Sequence, residues 1–217
     1  MLTHDARDAG PISFVILVSG RSPTCLNAQA RNLRHADMIV DTVMETPRLR
    51  LRTWRESDRE PFAALNADAR VMEFFPACLS RAESDAGVDR VLAHFRERGF
   101  GLYATELAAS AQFIGFVGLN TPEFEAHFTP CVEIGWRLTT DSWGRGIATE
   151  AAQAVVRHAF EKLRITKLVS FTVPLNVRSR RVMEKLGMTH DPADDFDHPG
   201  VPAGHPLRRH VLYRLAR

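Results

Sequence analysis

Two glycines one residue apart, Gly144 and Gly146, interrupt the chain between a short apolar segment at 131–138 and a long stripe of small and apolar residues. No other feature of the 217 residues constrains the fold as tightly. Ala148, Ala151, Ala152, Val155, Val156, Ala159 and Phe160 recur at helical spacing, which predicts a helix over 144–163 with a wide buried face. The run Asp141-Ser142-Trp143-Gly144-Arg145-Gly146-Ile147-Ala148-Thr149-Glu150 is then a strand-to-helix turn. Glycine reaches backbone conformations barred to other residues and lets a ligand come close to the main chain. The first turn of the helix leaves N–H groups unpaired at the positive end of the macrodipole, where anions bind, and Arg145 can add a charge-assisted contact. A tight turn with close packing at Ala148 accounts for the same residues equally well. Neither G-x-x-x-x-G-K-[ST] nor G-x-G-x-x-G is completed, which counts against the standard ATP and dinucleotide loops.

Around this turn the pattern mixes strands and helices. Arg48-Leu49-Arg50-Leu51-Arg52-Thr53-Trp54 alternates with the period of a half-buried strand. Ser57 or Asp58 can cap a helix running to 68, and a second helix is predicted over 80–98, ended by Gly99. Strands are predicted at 100–107, 113–119, 131–138, 167–173 and 208–215, with a helix at 177–186 closed by Gly187. Antiparallel hairpins first and a strand-helix-strand-helix unit later make an α+β fold. No sustained period precedes Met44, so residues 1–45 read as a flexible leader or the product of a mis-assigned start, and 46–217 as one domain.

Composition narrows the function. At 45% apolar and 25% charged residues the chain is an ordinary globular one. Lys+Arg 28 against Asp+Glu 26, with no basic block, gives no nucleic-acid surface. The longest apolar run, 12–18, is far below the roughly 18–20 residues that span a bilayer, and Asp5 and Asp8 before it deny it a signal peptide's positive start. Cys25, Cys78 and Cys131 stand far apart without C-x-x-C spacing, so a disulfide framework and a thiolate zinc site are unsupported and a reducing cytoplasm fits best. His190, His198, His205 and His210 lack the spacing of a metal pair, and no metal is expected.

The glycine turn resembles motif A of the Gcn5-related N-acetyltransferases (GNAT), in which [Q/R]-x-x-G-x-[G/A] amides hold the pyrophosphate of acetyl-CoA. Here that motif falls on 143–148, with Trp143 where the family prefers Gln or Arg. The run from Asn176 through Ser179, Val182, Glu184, Lys185 and Gly187 to Met188 resembles the family's N-x-x-S-x-x-[VL]-x-E-K-x-G-[FM] element. Residues 45–54 and Val132-Glu133-Ile134-Gly135-Trp136 further resemble the subgroup containing the ribosomal-protein N-terminal acetyltransferases. The resemblance covers 45–217. It implies a mixed, mostly antiparallel twisted sheet flanked by helices, whose fourth and fifth strands splay apart to admit pantetheine.

The resemblance further implies acetyl-CoA as co-substrate and a primary amine as acceptor, on a protein N-terminus or a small molecule, handled by a monomer or homodimer. The backbone of Trp136 and Leu138 would pair with the pantetheine amides, while Trp143, Gly144, Arg145, Gly146, Ile147, Ala148 and Thr149 surround the diphosphate. Asn176 would orient its helix and bond the coenzyme, with Lys185 or Arg180 near the ribose 3′-phosphate unless they are merely solvated. Glu133, in an apolar stretch where desolvation raises a carboxyl pKa, is the candidate base, or else a buried structural carboxylate. Many members carry a Tyr where Met183 stands, and a thioether donates no proton. By resemblance to the ribosomal subgroup Ser179 is the candidate acid, its other readings being a CoA contact or a cap, unless the thiolate leaves without an enzymic acid; a catalytically silent CoA-binding module is the alternative that Met183 leaves open. Phe74 and Phe75 are expected in the core, as a wall where the acceptor enters. Asp191, Asp194, Asp195 and Asp197 belong to a solvated hairpin connection or to a rim attracting a cationic amine.

Overall fold

The computed structural model describes residues 42–217, so most of the expected leader, with Cys25, lies outside the described residues. The leader's last four residues form strand β1 (Thr42–Glu45), which pairs antiparallel with β2 (Leu49–Arg52). The organised chain therefore reaches back past the expected boundary at 46; four residues are too few for a period to show. Then follow α1 (Arg59–Ala67), α2 (Arg81–Arg98), β3 (Leu102–Leu107), β4 (Phe113–Asn120), β5 (Glu133–Leu138), α3 (Ile147–Glu161), β6 (Lys167–Thr172) and α4 (Val177–Lys185). Two short strands, β7 (Thr189–His190) and β8 (Phe196–Asp197), precede β9 (Arg209–Ala216).

Local chemistry accounts for the helix ends. Ser80 accepts from the Glu83 N–H while the Glu83 carboxylate accepts from the Ser80 N–H at 2.7 Å, a reciprocal cap that starts α2. Gly99, at φ +75°, ends it in the left-handed region. The sheet runs β1-β2-β3-β4-β5-β6-β9-β7, with β8 on β9, and every pairing is antiparallel except β5 with β6. The expected mixed, mostly antiparallel sheet with flanking helices is thus observed.

Each face of the sheet carries its own core. Tyr103, Ile114, Val117, Leu119, Ile134 and Leu138 pack with Ile147, Ala151, Ala152 and Val155 of α3. On the opposite face Leu102, Ala104, Phe113 and Phe116 meet Phe62 and Leu65 of α1 and Val88 and Val91 of α2. Neighbours in β3 and β4 point to opposite cores, which explains why these strands read as continuous apolar runs rather than alternating ones. A third cluster, Phe128, Val169, Phe196 and Leu212, gathers under the 191–208 connection. That segment is therefore not simply solvated: Phe196, His198 and Val201 are buried. No helix among the described residues is long and apolar enough to cross a membrane.

Arg52 of β2 is 1% exposed and holds two carboxylates that are each 2% exposed. Its Nε donates to Glu106 at 2.6 Å, and its Nη1 and Nη2 donate to Asp58 at 2.7 and 2.9 Å. Asp58 also accepts from the Arg55 N–H at 2.7 Å, so the network ties the start of α1 to β2 and β3. Removing one partner of such a network leaves uncompensated charge in the interior. Arg52→Met is expected to lower stability by about 3–5 kcal/mol, measured by urea denaturation at pH 7. A loss under about 1 kcal/mol contradicts this account.

Candidate active site

β5 and β6 meet at one register pair, Glu133 with Val169, where the Val169 N–H donates to the Val132 carbonyl at 2.9 Å. Beyond it they part, while β5 stays paired with β4 along its whole length. The Thr139 N–H donates to the Ile114 carbonyl, which sets the hydrogen-bonding phase of the β4–β5 ladder. Odd-numbered residues of β5 therefore direct their backbone groups at β4, and Ile134, Trp136 and Leu138 direct theirs into the gap. Such groups are a ready edge for a further extended chain. The Leu138 carbonyl already accepts from the Trp143 indole N–H at 2.9 Å, which gives Trp143 a bracing role in place of a polar family side chain.

The gap opens into a cavity of about 370 Å³ bounded by Glu133, Trp136, Arg137, Leu138, the turn before α3 and the start of α4. At that turn Gly144 and Gly146 lie at φ +70° and +75°, conformations that a Cβ would strain. The first intrahelical bond of α3 runs from the Glu150 N–H to the Gly146 carbonyl. The N–H groups of Ile147, Ala148 and Thr149 therefore have no acceptor in the helix, and those of Gly144, Arg145 and Gly146 make no backbone bond among the described residues. Six successive donors at the positive end of a fifteen-residue helix suit a diphosphate. The turn is clamped from below by the β1–β2 connection. Arg48 donates to the Arg145 carbonyl at 2.9 Å and to Glu150 at 2.6 Å, and the Thr46 hydroxyl donates to Glu150 at 2.6 Å. This is what the residues 45–54 do for the site.

Other expected residues divide. Gly144, Gly146, Ile147, Ala148, Thr149, Asn176, Ser179 and Lys185 all border the cavity. Arg145 does not: its exposed guanidinium turns back to the Asp141 carbonyl at 3.5 Å. Arg180 also points elsewhere, to the Tyr213 hydroxyl and the Pro174 carbonyl, both at 3.3 Å. Asn176 caps α4, its Oδ1 accepting from the Ser179 N–H at 3.2 Å and its Nδ2 donating to Thr172 at 3.1 Å. Met183 is 1% exposed and belongs to the α3 core. Phe74 and Phe75 are half-buried and line the cavity instead of lying in the core where they were expected, because the segment after α1 runs along the cavity mouth.

Glu133 is 5% exposed, and among the described residues its carboxylate makes one hydrogen bond, accepting from Asn120 Nδ2 at 3.4 Å. Burial, partly offset by that contact, pushes its pKa up to about 7. The acids at 191–197 are locally engaged rather than free to attract an amine. Asp194 binds Arg214 at 2.6 Å, Asp195 binds His190 at 2.7 Å, and Asp197 binds Arg208 at 3.2 Å.

Three arginines of the cavity, Arg137, Arg178 and Arg181, were not singled out from the sequence. Arg178 of α4 stacks over the Trp143 ring at 4.5 Å and binds Glu73 at 2.5 Å, linking α4 to the Phe74–Phe75 wall. Arg137 lies two residues past Gly135 on the face of β5 that carries Glu133. Alternation along the strand could have linked Glu133, Gly135 and Arg137, but the apolar residues between them pointed to the core instead.

Comparison with known proteins agrees with this geometry. The model described as "Acetyltransferase (GNAT) domain" matches residues 48–189. A Bacillus subtilis relative, the uncharacterized protein YkkB, is 28% identical over 152 residues, covering 70% of this chain and 87% of the relative. The uncharacterized N-acetyltransferase YnaD of the same organism is 26% identical over 149 residues, covering 67% and 82%. Among solved structures, an acetyltransferase from Agrobacterium tumefaciens superposes with TM-score 0.66 at 27% identity, covering 91% of this chain and 100% of that one. The ribosomal L7/L12 α-N-protein acetyltransferase RimL, solved in complex with coenzyme A, shares the fold at TM-score 0.63 and 18% identity, covering 79% and 95%. With the splayed strands, the amide-lined turn and a family match over 48–189, the chain belongs to the GNAT acetyltransferase family and is an acetyl-CoA-dependent N-acyltransferase.

Proposed function

We propose that the acceptor is a primary amine, with the α-amine of a protein or peptide as the first candidate, and that Glu133 is the base. The carrying observation is Glu133 itself, a buried carboxyl at the point where β5 and β6 part, with its pKa raised to about 7. Acetyl-CoA supplies an acetyl group activated as a thioester. The amides of residues 144–149 hold its diphosphate, and Trp136 and Leu138 offer strand-edge groups to its pantetheine arm. Glu133 takes the proton that an ammonium must lose before its nitrogen can attack, directly or through a water. Met183 has no proton to give, and the Ser179 hydroxyl, on the cavity wall, is the donor to the departing thiolate.

The shared fold with RimL supports the protein α-amine reading. A small amine is the second reading. It is favoured by a 96-residue match at 34% identity to an Aspergillus fumigatus protein named FsC-acetyl coenzyme A-N(2)-transacetylase, covering 42% of this chain and 40% of that protein. Thiol release, followed with acetyl-CoA over peptides and small amines, separates the two.

A base must be ionised to accept a proton, so kcat is expected to rise with pH through about 7 and level off above it. Glu133→Gln is expected to lower kcat by roughly 10²–10⁴-fold and to remove that rise; an unchanged pH profile returns Glu133 to a structural role. Gly146→Val places a β-branched side chain at φ +75°. Its acetyl-CoA Kd, read by calorimetry, is expected to increase by roughly five- to thirtyfold, as the strain of about 1–2 kcal/mol displaces the amides. An unaltered Kd removes the turn from the binding site.

A further inference from the structure

The cavity contains a buried cation with no counterion among the described residues. Arg137 is 7% exposed, and its Nη1 donates to the neutral Asn66 Oδ1 at 2.6 Å. Its guanidinium lies 4.3 Å from the Phe75 ring centroid and 5.6 Å from that of Phe116. Its Nε is buried without any partner, and among the described residues Nη2 makes no hydrogen bond and no carboxylate lies within 4.0 Å of the group. Buried charges are normally paired. Arg52 shows how this chain treats a buried arginine that serves structure alone: both of its edges are filled by carboxylates. Arg137 has a neutral amide on Nη1, aromatic rings beside it, and an Nε–Nη2 edge without a partner, on a residue that lines the ligand cavity. That edge is a two-donor fork matching the two oxygens of a carboxylate.

We infer that Arg137 selects the acceptor, and that the preferred acceptors are primary amines carrying a carboxylate, which docks on the Nε–Nη2 edge while the amine reaches the Glu133 end of the cavity. Both residues lie on one face of β5, about 13 Å apart between Cα atoms by strand rise; the arginine side chain spans part of that distance. The inference rests on the acetyl-transfer reading above and adds the chemistry of the acceptor to it. The carboxylate can belong to a free amino acid or to the acidic side chain of a peptide.

The test compares matched acceptors with the full-length protein and acetyl-CoA: α- and ω-amino acids of increasing chain length against their carboxamides, and peptides beginning with Asp or Glu against Asn or Gln. For at least one set the acid is expected to exceed its amide in kcat/KM by roughly tenfold to hundredfold, the range of a charge-assisted pair. The set that shows the preference identifies the source of the carboxylate. In Arg137→Gln the ratio is expected to fall to about one through KM, with Arg137→Lys in between. A purely structural role would lower acid and amide together and leave their ratio intact. Wild-type protein showing no acid preference in any pair overturns the inference without recourse to a variant, as does a preference that survives in Arg137→Gln. Thiol release from acetyl-CoA at equal rates with acids and amides overturns this inference alone; no release with any amine overturns the acetyl-transfer reading and this one together.

Discussion

The site depends on how little β5 and β6 touch. One parallel register pair, at Glu133 and Val169, joins the two halves of the sheet, and the strands separate from that point toward the turn before α3. Had the ladder continued, the backbone groups of Trp136 and the Leu138 N–H would be consumed within the protein, as those of their odd-numbered neighbours are by β4. Each half is held independently: β5 by β4, and β6 by β9 over six register pairs. The separation is therefore stable without a strand to fill it. α3 crosses from one half to the other, and its alanines let it lie close against the first half of the sheet. The same helix brings its unpaired N–H groups to the mouth of the gap.

Electrostatics distinguishes structure from site. The Arg52 network satisfies its charges internally and joins β2, β3 and the entry to α1. Glu133 and Arg137 are buried to a comparable degree and are not satisfied by opposite charge. Desolvation moves both toward neutrality, Glu133 up to about 7 and Arg137 down to about 10. Groups held in that condition within a cavity are the ones a polar substrate can engage. The C-terminal layer works in the opposite sense. Its acids are tied to Arg208, Arg214 and His190, and its aromatic residues cover the far end of β6 and β9.

Much of this was legible in the chain because it depends on local rules. The reciprocal Ser80–Glu83 cap, Gly99 beyond α2, and the small-residue stripe of α3 are short-range signals, and the elements they mark lie within a few residues of expectation. The paired glycines likewise mark a turn wherever the chain runs. Strand β1 and the short strands β7 and β8 were not legible, because two to four residues carry no period and are strands only through their partners β2 and β9. The burial of Phe196 and His198 was hidden for the same reason, since the polar and proline-rich composition around them reads as solvated.

By itself the sequence determined the order of the elements, the glycine turn and the residues available for acid–base chemistry, because periodicity, capping and side-chain chemistry act over a few residues. Tertiary structure decided which charges remain without a partner. Arg52 ends the alternating strand β2 and Arg137 lies between Trp136 and Leu138 in β5, and nothing in either run of residues shows which arginine finds a carboxylate. They differ because Asp58 and Glu106 converge on the first, while the second meets Asn66 and Phe75. Pairing between residues 54 and 71 positions apart is settled when the chain closes on itself, and the charge left over there is what gives the cavity its chemistry.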